Sequence, residues 1–238
     1  MPEPLLKQPK PVSPPHSDEP PPRKSAAREY TEAFLVALAL AIVLRTFFVQ
    51  AYKIPSGSME PTLLVGDHII VNKLAYGFRL PDSFFGLTPL ADEIPWGHYL
   101  FTLGTVHRGD VVVFVYPQDE TKDFIKRVIA IPGDTIAVKD AIVYLNGKPA
   151  DDPHAHFEVP QDQRQPGNQR DFLSATTLPA GEYFMMGDNR DHSYDSRFWG
   201  FVNFNQIEGH ALFIYWSWDS DSPSLVPIRW SRFFKAIR

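Results

Sequence analysis

The apolar residues of this 238-residue chain change their spacing near residue 52. Before it, residues 30–51 are mostly apolar, and residues 34–44 form an unbroken apolar run that is followed by Arg45. This pattern predicts a transmembrane helix, because a helix of about 20 apolar residues crosses a bilayer. Arg45 lies near the far end, where a long side chain can reach the headgroups.

Beyond residue 52 the apolar residues come in short runs that alternate with polar positions or are rich in valine. Gly, Pro, Asn and Asp separate these runs, as is typical of strands joined by turns. The predicted strands cover residues 67–73, 110–116, 124–131, 135–143, 182–186 and 211–218. The pattern therefore predicts a mainly β domain over residues 52–238. Its segment at about residues 139–178 is predicted to be a small accessory insertion without a catalytic role.

Residues 1–29 hold nine of the 23 prolines and charges of both signs, which predicts a disordered arm. Three basic residues of the arm closely precede the apolar segment, whereas only Lys53 closely follows it. The positive-inside rule therefore predicts a cytoplasmic arm and an extracytoplasmic β domain. Two alternatives stay open for the apolar segment: a buried helix of a soluble protein, and a cleavable signal peptide that ends at residues 49–51.

Composition limits the chemistry. The formal net charge of -5 and the lack of a basic stripe argue against nucleic acid as a partner. With no cysteine, the chain has no disulfide, thiolate nucleophile or cysteine-based zinc site. We expect no metal.

The chemistry is predicted to start at Ser58, in the segment 52–63 that follows the apolar run. Pro55 holds its predecessor extended, Gly57 permits a backbone turn that a side chain would resist, and Pro61 stops a helix from running through. Such a kinked loop can present one hydroxyl group. The same residues are also typical of an ordinary turn, so this segment alone does not decide the function.

Three further patterns suggest other chemistry. Ser58 with His192 and Asp191 supplies the residue types of a Ser-His-Asp triad, although adjacent residues point in different directions. Residues 151–156 form a polar loop with two histidines and two aspartates, which are residue types that bind metals. The Arg-Gly-Asp tripeptide at residues 108–110 matches an adhesion motif, but it also fits a turn before a strand, which is the interpretation we adopt.

Four segments follow one another in a specific order. Residues 54–67 begin Ile-Pro-Ser-Gly-Ser-Met-Glu-Pro-Thr-Leu, residues 108–114 read Arg-Gly-Asp-Val-Val-Val-Phe, residues 126–134 read Lys-Arg-Val-Ile-Ala-Ile-Pro-Gly-Asp, and residues 187–200 read Gly-Asp-Asn-Arg-Asp-His-Ser-Tyr-Asp-Ser-Arg-Phe-Trp-Gly. Together they resemble bacterial type I signal peptidase over roughly residues 45–217. The resemblance implies a single N-terminal transmembrane helix and an extracytoplasmic all-β catalytic domain built on a coiled sheet.

The resemblance also implies roles for individual residues. Ser58 matches the nucleophile and Lys126 the general base of a Ser-Lys dyad. Ser56 matches the side-chain donor of an oxyanion hole, beside the backbone N–H of Ser58. The supporting residues are Ser193, which orients the lysine, and the ion pair of Asp195 and Arg197.

These residue types make physical sense. A serine hydroxyl is a poor nucleophile until a base takes its proton, and lysine is a base only where burial lowers its pKa toward the working pH. The apolar strand predicted at residues 124–131 provides such burial. The alternative for Lys126 is an exposed strand lysine paired with an acid. An extended substrate is expected to add as a strand between residues 52–56 and 123–126.

Nine residues match the substrate-binding positions of the family. For the residue before the cut they are Ile54, Pro55, Met59, Leu63 and Ile125, and for the residue two positions upstream they are Tyr52, Ile69, Val113 and Asp123. Three positions depart from the family pattern: Ala130 replaces a glycine, His192 an asparagine and Tyr194 a small residue.

As a member of this family, the chain is expected to be a monomeric serine endopeptidase that removes signal peptides from exported preproteins after Ala-x-Ala-like sites. It is expected to lie in the lipid bilayer of the bacterial inner membrane with its N-terminus inside, and to need no cofactor. Two rival classes remain. One is another Ser-Lys protease of similar fold, such as an SOS-repressor auto-protease, and the other is a membrane-tethered β module that binds exported chains with an inactive site.

Overall fold

The computed structural model describes residues 25–80, 97–165, 167–222 and 226–238. Most of the proline-rich arm predicted for residues 1–29 lies outside the described residues. The chain divides into two compact units, Met1–Leu40 and Ala41–Arg238, and the second unit contains every described strand.

The apolar segment forms one helix, α1, over Ala26–Phe47. Its most apolar window has a mean hydropathy of 1.7, and it is the one helix among the described residues that is long and apolar enough to span a membrane. None of its residues is buried, so the buried-helix alternative finds no support. The helix ends before residue 51, where it was predicted to end, because the backbone of residues 49–53 pairs with a neighbouring strand instead.

The remainder is mainly β, as predicted. The described strands are β1 Val49–Lys53, β2 Asp67–Asn72, β3 Gly77–Arg79, β4 Tyr99–Thr102, β5 Val111–Val115, β6 Asp123–Ala130, β7 Thr135–Lys139, β8 Ile142–Leu145, β9 Lys148–Pro149, β10 Leu173–Thr177, β11 Glu182–Met186, β12 Val202–Asn203 and β13 Ile207–Ser217. A short helix, α2, covers Ser196–Trp199, and 3₁₀ turns cover Gly57–Met59, Gln161–Gln163, Phe204–Gln206 and Trp230–Arg232.

The largest sheet has seven strands in the order β1-β2-β13-β5-β6-β11-β12, and every neighbouring pair is antiparallel. Strand β2 alternates buried and half-buried residues, as expected where one face covers a core. Strand β5 is buried at all five positions, because both of its faces are covered. A four-stranded sheet, β10-β7-β8-β9, and the β3-β4 hairpin complete the fold.

One predicted strand was wrong. Residues 135–143 form two strands, β7 and β8, because Asp140 and Ala141 turn the chain with positive φ values of 50° and 65°. The apolar pattern hides this turn, since Ala141 continues the run of apolar residues. The four-stranded sheet therefore begins at Thr135, a few residues before the predicted insertion.

Candidate active site

Ser58 lies in the 3₁₀ turn Gly57–Met59, shortly after β1. Ile54 is buried before the turn, and Met59 and Leu63 are buried at and after it, all in one apolar cluster. The turn is thus anchored on both sides, and Ser58 is only 7% exposed. The turn predicted at this position is confirmed.

Lys126 lies on β6 with its Nζ atom 2.7 Å from Ser58 Oγ. Nζ also donates to the carbonyl oxygen of Ile125 at 3.0 Å, and only 5% of the lysine is exposed. Burial lowers the pKa of Lys126 to about 8, although the negative charges of Asp195 and Asp188 act in the opposite direction. A lysine with this pKa is largely neutral at mildly alkaline pH, so it can accept a proton from the adjacent hydroxyl.

The predicted supporting residues lie in or just after residues 187–195, named here the 187–195 loop, which follows β11. Arg197 Nε donates to Asp195 Oδ1 at 2.8 Å and Arg197 Nη2 donates to Asp195 Oδ2 at 2.9 Å, and both residues are buried. Burial raises the pKa of Asp195, but the hydrogen bond and charge of Arg197 outweigh it and hold this pKa below its usual range. The buried pair is therefore ionised and places a fixed negative charge near the lysine.

Ser193 is buried within the same loop. Its Oγ accepts a hydrogen bond from Gly187 N at 3.1 Å, and its hydroxyl also bonds Asp195. A Cβ atom at Gly187 would lie 2.3 Å from both Ser193 Oγ and the carbonyl oxygen of Ser58, so only glycine fits there. The described hydrogen bonds of Lys126 do not include Ser193, so its orienting role stays a prediction.

The structure brings most of the predicted substrate-binding residues together. Strand pairing sets Tyr52 opposite Ile69 and Val113 opposite Ile125. Seven of the nine share one apolar cluster: Tyr52, Ile54, Met59, Leu63, Ile69, Val113 and Ile125. The other two, Pro55 and Asp123, are exposed and lie outside it.

A second buried ion pair, which the sequence analysis did not predict, joins the segment after Ser58 to strand β6. Arg127 donates to Asp188 Oδ1 at 2.7 Å and to Oδ2 at 2.6 Å, and Thr62 Oγ1 donates to Asp188 at 2.6 Å. Asn189 N donates to the carbonyl oxygen of Ser58 at 3.2 Å. The available signal was an arginine inside an apolar strand, since buried arginine requires an anionic partner.

Another residue that the sequence analysis did not predict, Glu208, is buried on β13 beside Tyr52. The Tyr52 hydroxyl donates to its carboxylate, and Arg79 Nη1 lies 3.7 Å from it. Burial raises the pKa of Tyr52, and the charge of Glu208 raises it further, so the phenol stays protonated and remains a donor. This hydrogen bond fixes the orientation of the Tyr52 ring.

The alternative histidine triad is not assembled. The His192 side chain is 61% exposed, and its Nε2 lies 3.0 Å from Glu158 Oε2. Asp191 instead pairs with Arg164 at 2.9 Å. The side chain bonded to Ser58 Oγ is accordingly a lysine and not a histidine.

The polar loop at residues 151–156 and the Arg-Gly-Asp tripeptide have structural roles. Within the described residues, no group of three or more His, Cys, Asp and Glu side chains could hold a metal, and Asp152 is paired with Arg190 at 2.5 Å. Residues 107–110 form a turn in which Asp110 N donates to His107 O at 3.2 Å. The turn interpretation of the tripeptide is confirmed.

Comparison with known proteins gives consistent matches. The family model described as "Signal peptidase, peptidase S26" matches residues 27–216. Signal peptidase I of Pseudomonas aeruginosa is 37% identical to this chain, and the alignment covers 84% of this chain and 76% of that protein. Signal peptidase I of Aquifex aeolicus is 34% identical, and the alignment covers 84% of this chain and 87% of that protein. A signal peptidase I from Enterococcus faecalis, known from a crystal structure, has 28% sequence identity with this chain. The superposition covers 45% of this chain and 97% of that chain, with a TM-score of 0.35.

Proposed function

The chain belongs to the signal peptidase family, peptidase S26, and is a serine endopeptidase, and we propose that its Ser58 and Lys126 remove signal peptides from exported preproteins through an acyl-enzyme intermediate. The observation that carries the proposal is the 2.7 Å separation of Lys126 Nζ and Ser58 Oγ in a buried site. Burial supplies what the chemistry needs, a lysine that can be neutral, and the short distance allows direct proton transfer.

Acylation begins when neutral Lys126 takes the hydroxyl proton of Ser58 while Oγ attacks the carbonyl carbon of the scissile bond. The carbonyl electrons move onto oxygen, where the Ser56 hydroxyl and the Ser58 N–H donate hydrogen bonds to the negative charge. The C–N bond then breaks, and protonated Lys126 gives its proton to the leaving amine of the mature protein. This step leaves the signal peptide esterified to Ser58.

Deacylation repeats the proton transfers with water. Lys126 takes a proton from water, and the hydroxide attacks the ester carbonyl carbon. The C–Oγ bond breaks, Ser58 recovers its proton from Lys126, and the signal peptide leaves as a carboxylic acid that loses its proton to the solvent. Both half-reactions use the same base and no cofactor.

Specificity for Ala-x-Ala-like sites follows from the cluster beneath the dyad. Among the described strands, β11 pairs with β6 only as far as Arg127, so residues 123–126 keep one backbone edge for an extended substrate. Alternate substrate side chains then face the apolar cluster. Its members are mostly buried and pack against one another, so little space remains for large substrate side chains, which favours small ones such as alanine.

The helix α1 is proposed to anchor the enzyme in the inner membrane with the arm of residues 1–29 inside. Its length and hydropathy suit a bilayer span, and the basic residues before it favour this orientation. The domain of residues 52–238 then acts as a monomer on the extracytoplasmic face, where preproteins emerge.

The decisive experiment is cleavage of one precursor peptide by the wild type and by Ser58→Ala. We expect cleavage after the Ala-x-Ala site by the wild type only. A matched peptide with phenylalanine immediately before the cut tests the preference of the apolar cluster for small side chains, and it should not be cleaved. Activity in Ser58→Ala would refute the role of Ser58 as the nucleophile. Equal cleavage of both peptides would refute the preference for small side chains. Binding without cleavage by the wild type would favour the non-catalytic module.

Orientation is tested separately by protease digestion of intact spheroplasts. The domain of residues 52–238 should be degraded from outside, while a cytoplasmic control protein stays intact. Survival of the domain until the membrane is permeabilised would show that the orientation is the reverse.

A further inference from the structure

The accessory insertion contacts the active-site loop directly, although the sequence predicted no catalytic role for it. The part of the insertion that makes these contacts lies between β9 and β10. It consists of residues 152–164 and 167–171 and is named here the bracing segment. It packs along the outer side of the 187–195 loop. The backbones pair: His156 N donates to Asp188 O at 2.8 Å, and Arg190 N donates to His156 O at 2.8 Å.

Side chains extend this contact so that each residue from 188 to 193 has a polar partner in the bracing segment. Glu158 accepts from Asn189 Nδ2 at 2.8 Å and pairs with His192 at 3.0 Å. Asp191 accepts from the backbone N–H groups of residues 158 and 159 at 2.7 and 2.8 Å and pairs with Arg164. Six consecutive residues are thus held on one side by a single segment.

Arg170 makes the contact nearest to the supporting serine. Its Nη1 donates to the carbonyl oxygen of Ser193 at 2.8 Å and lies 3.4 Å from that of Arg190. Its guanidinium lies over the ring of Phe198, 5.0 Å from the centroid. Its own carbonyl oxygen accepts from Arg197 Nη1 at 3.0 Å, so it also touches the partner of Asp195.

The inner side of the same loop holds the dyad. Asn189 N donates to the carbonyl oxygen of Ser58, and Gly187 N donates to Ser193 Oγ and to Asp195. A Cβ atom at Gly187 would lie 2.3 Å from the carbonyl oxygen of Ser58, so the loop backbone lies directly against the turn that carries Ser58. Loss of the contacts on the outer side of the loop would therefore allow it to move away from Ser58.

We propose that Arg170 is a positioning residue for the catalytic dyad, and that the bracing segment is a structural part of the active site. Arg170 clamps the main chain at Ser193 and thereby keeps the 187–195 loop against Ser58. The inference rests on the proposed function for the roles of Ser58 and Ser193. A displacement of about 1 Å at a catalytic group can cost about 100-fold in rate, so a clamp outside the site matters to turnover.

The test uses the full-length chain in detergent. Arg170→Met keeps the aliphatic stem beside Phe198 and removes the donor, whereas Arg170→Lys keeps a charged donor. Arg108→Met is the control, because Arg108 is another arginine of the same domain that bonds through its guanidinium, in its case to Asp134, and its described hydrogen bonds are not to the 187–195 loop. If Arg170→Met does not fold, Arg170→Ala, which also has no side-chain donor, replaces it with the same expected results.

Two measurements are made on each variant. Hydrogen exchange of the loop amides should be faster by about tenfold in Arg170→Met, because a hydrogen bond from a charged donor is worth at least that factor. The kcat for a precursor peptide should fall by about 10- to 100-fold with KM changed less than about twofold. Arg170→Lys should return kcat to within about threefold of the wild type, and Arg108→Met should match the wild type in both measurements.

The outcomes separate this inference from the proposed function. Unchanged loop exchange in Arg170→Met overturns the clamp whether or not the peptide is cleaved. Faster loop exchange with an unchanged kcat overturns the positioning role and leaves Arg170 a structural residue. Failure of the wild type to cleave the peptide, or cleavage by Ser58→Ala, contradicts the proposed function instead, while the exchange measurement still tests the clamp.

Discussion

Replacing Lys126 with methionine should abolish peptidase activity and also change stability in a pH-dependent way. Methionine is of similar length and carries no charge, so the substitution removes the buried amine with little change in packing. Loss of activity follows because no base remains beside Ser58. The change in stability reports how much the folded protein is destabilised by holding a charge at that position.

The magnitude follows from the pKa of the lysine. Burial lowers it from an ordinary value of 10.5 to about 8. At about 1.4 kcal/mol per pH unit, the protonated amine destabilises the folded state by about 3 kcal/mol below pH 8. The unfolded state binds the proton more tightly, so wild-type stability rises with pH between about 8 and 10.5, and the destabilisation vanishes at the upper end.

The variant also loses two hydrogen bonds, from Nζ to Ser58 and to Ile125. These are worth about 1 kcal/mol each. Near neutral pH the variant should therefore be more stable than the wild type by about 1 kcal/mol, and near pH 10.5 less stable by about 2 kcal/mol. Other titrating groups are common to both proteins, so their effects cancel in the difference.

The assay is urea unfolding of the full chain in detergent, followed by tryptophan fluorescence at several pH values from about 7 to about 10. The matched control is Lys139→Met, which removes an exposed lysine at the end of β7 and therefore no buried charge. A stability difference for Lys126→Met that does not change with pH would refute the argument that burial lowers the pKa of this lysine. Retained peptidase activity would refute its role as the base.

The remaining predictions concern the mechanism and the fold. The kcat/KM should rise with pH along an acid limb that reports the Lys126 pKa of about 8, because only the neutral amine accepts a proton; a profile that is flat in this range would contradict it. Lys126→Arg should be inactive at every workable pH, since guanidinium stays protonated, whereas His192→Ala should retain substantial turnover; the opposite pair of results would favour a triad. Ser56→Ala should lower kcat by about 10²- to 10³-fold with little change in KM, as measured on one precursor peptide, and an effect confined to KM would reassign Ser56 to substrate binding. Arg232→Met should lower the free energy of unfolding by about 3 to 5 kcal/mol, because it leaves the buried carboxylate of Asp67, which Arg232 contacts at 2.6 Å, without its cation; a loss below about 1 kcal/mol would contradict this.

Local patterns were sufficient for much of the fold and for the residue types of the site. The continuous apolar run predicted α1, and strand β11 was predicted at its observed bounds, because side-chain periodicity reflects which face is buried. The turn at residues 140–141 was missed, since positive φ values at Asp140 and Ala141 leave no mark in the apolar pattern. Where the backbone turns within a run of apolar residues, the pattern of apolar and polar residues does not show the turn.

The pattern of apolar residues was enough to predict a mainly β chain with an apolar N-terminal helix, and the resemblance to a family was enough to pair Ser58 with Lys126. Only the tertiary structure decided that their side chains meet at 2.7 Å, that burial lowers the lysine pKa, and that Arg127 pairs with Asp188. It also decided that the accessory insertion holds the 187–195 loop. These features differ in the distance along the chain over which they are set. Strand and turn preferences depend on a few neighbouring residues. Burial and charge pairing depend on groups that are far apart in the chain and come together only when the sheets pack.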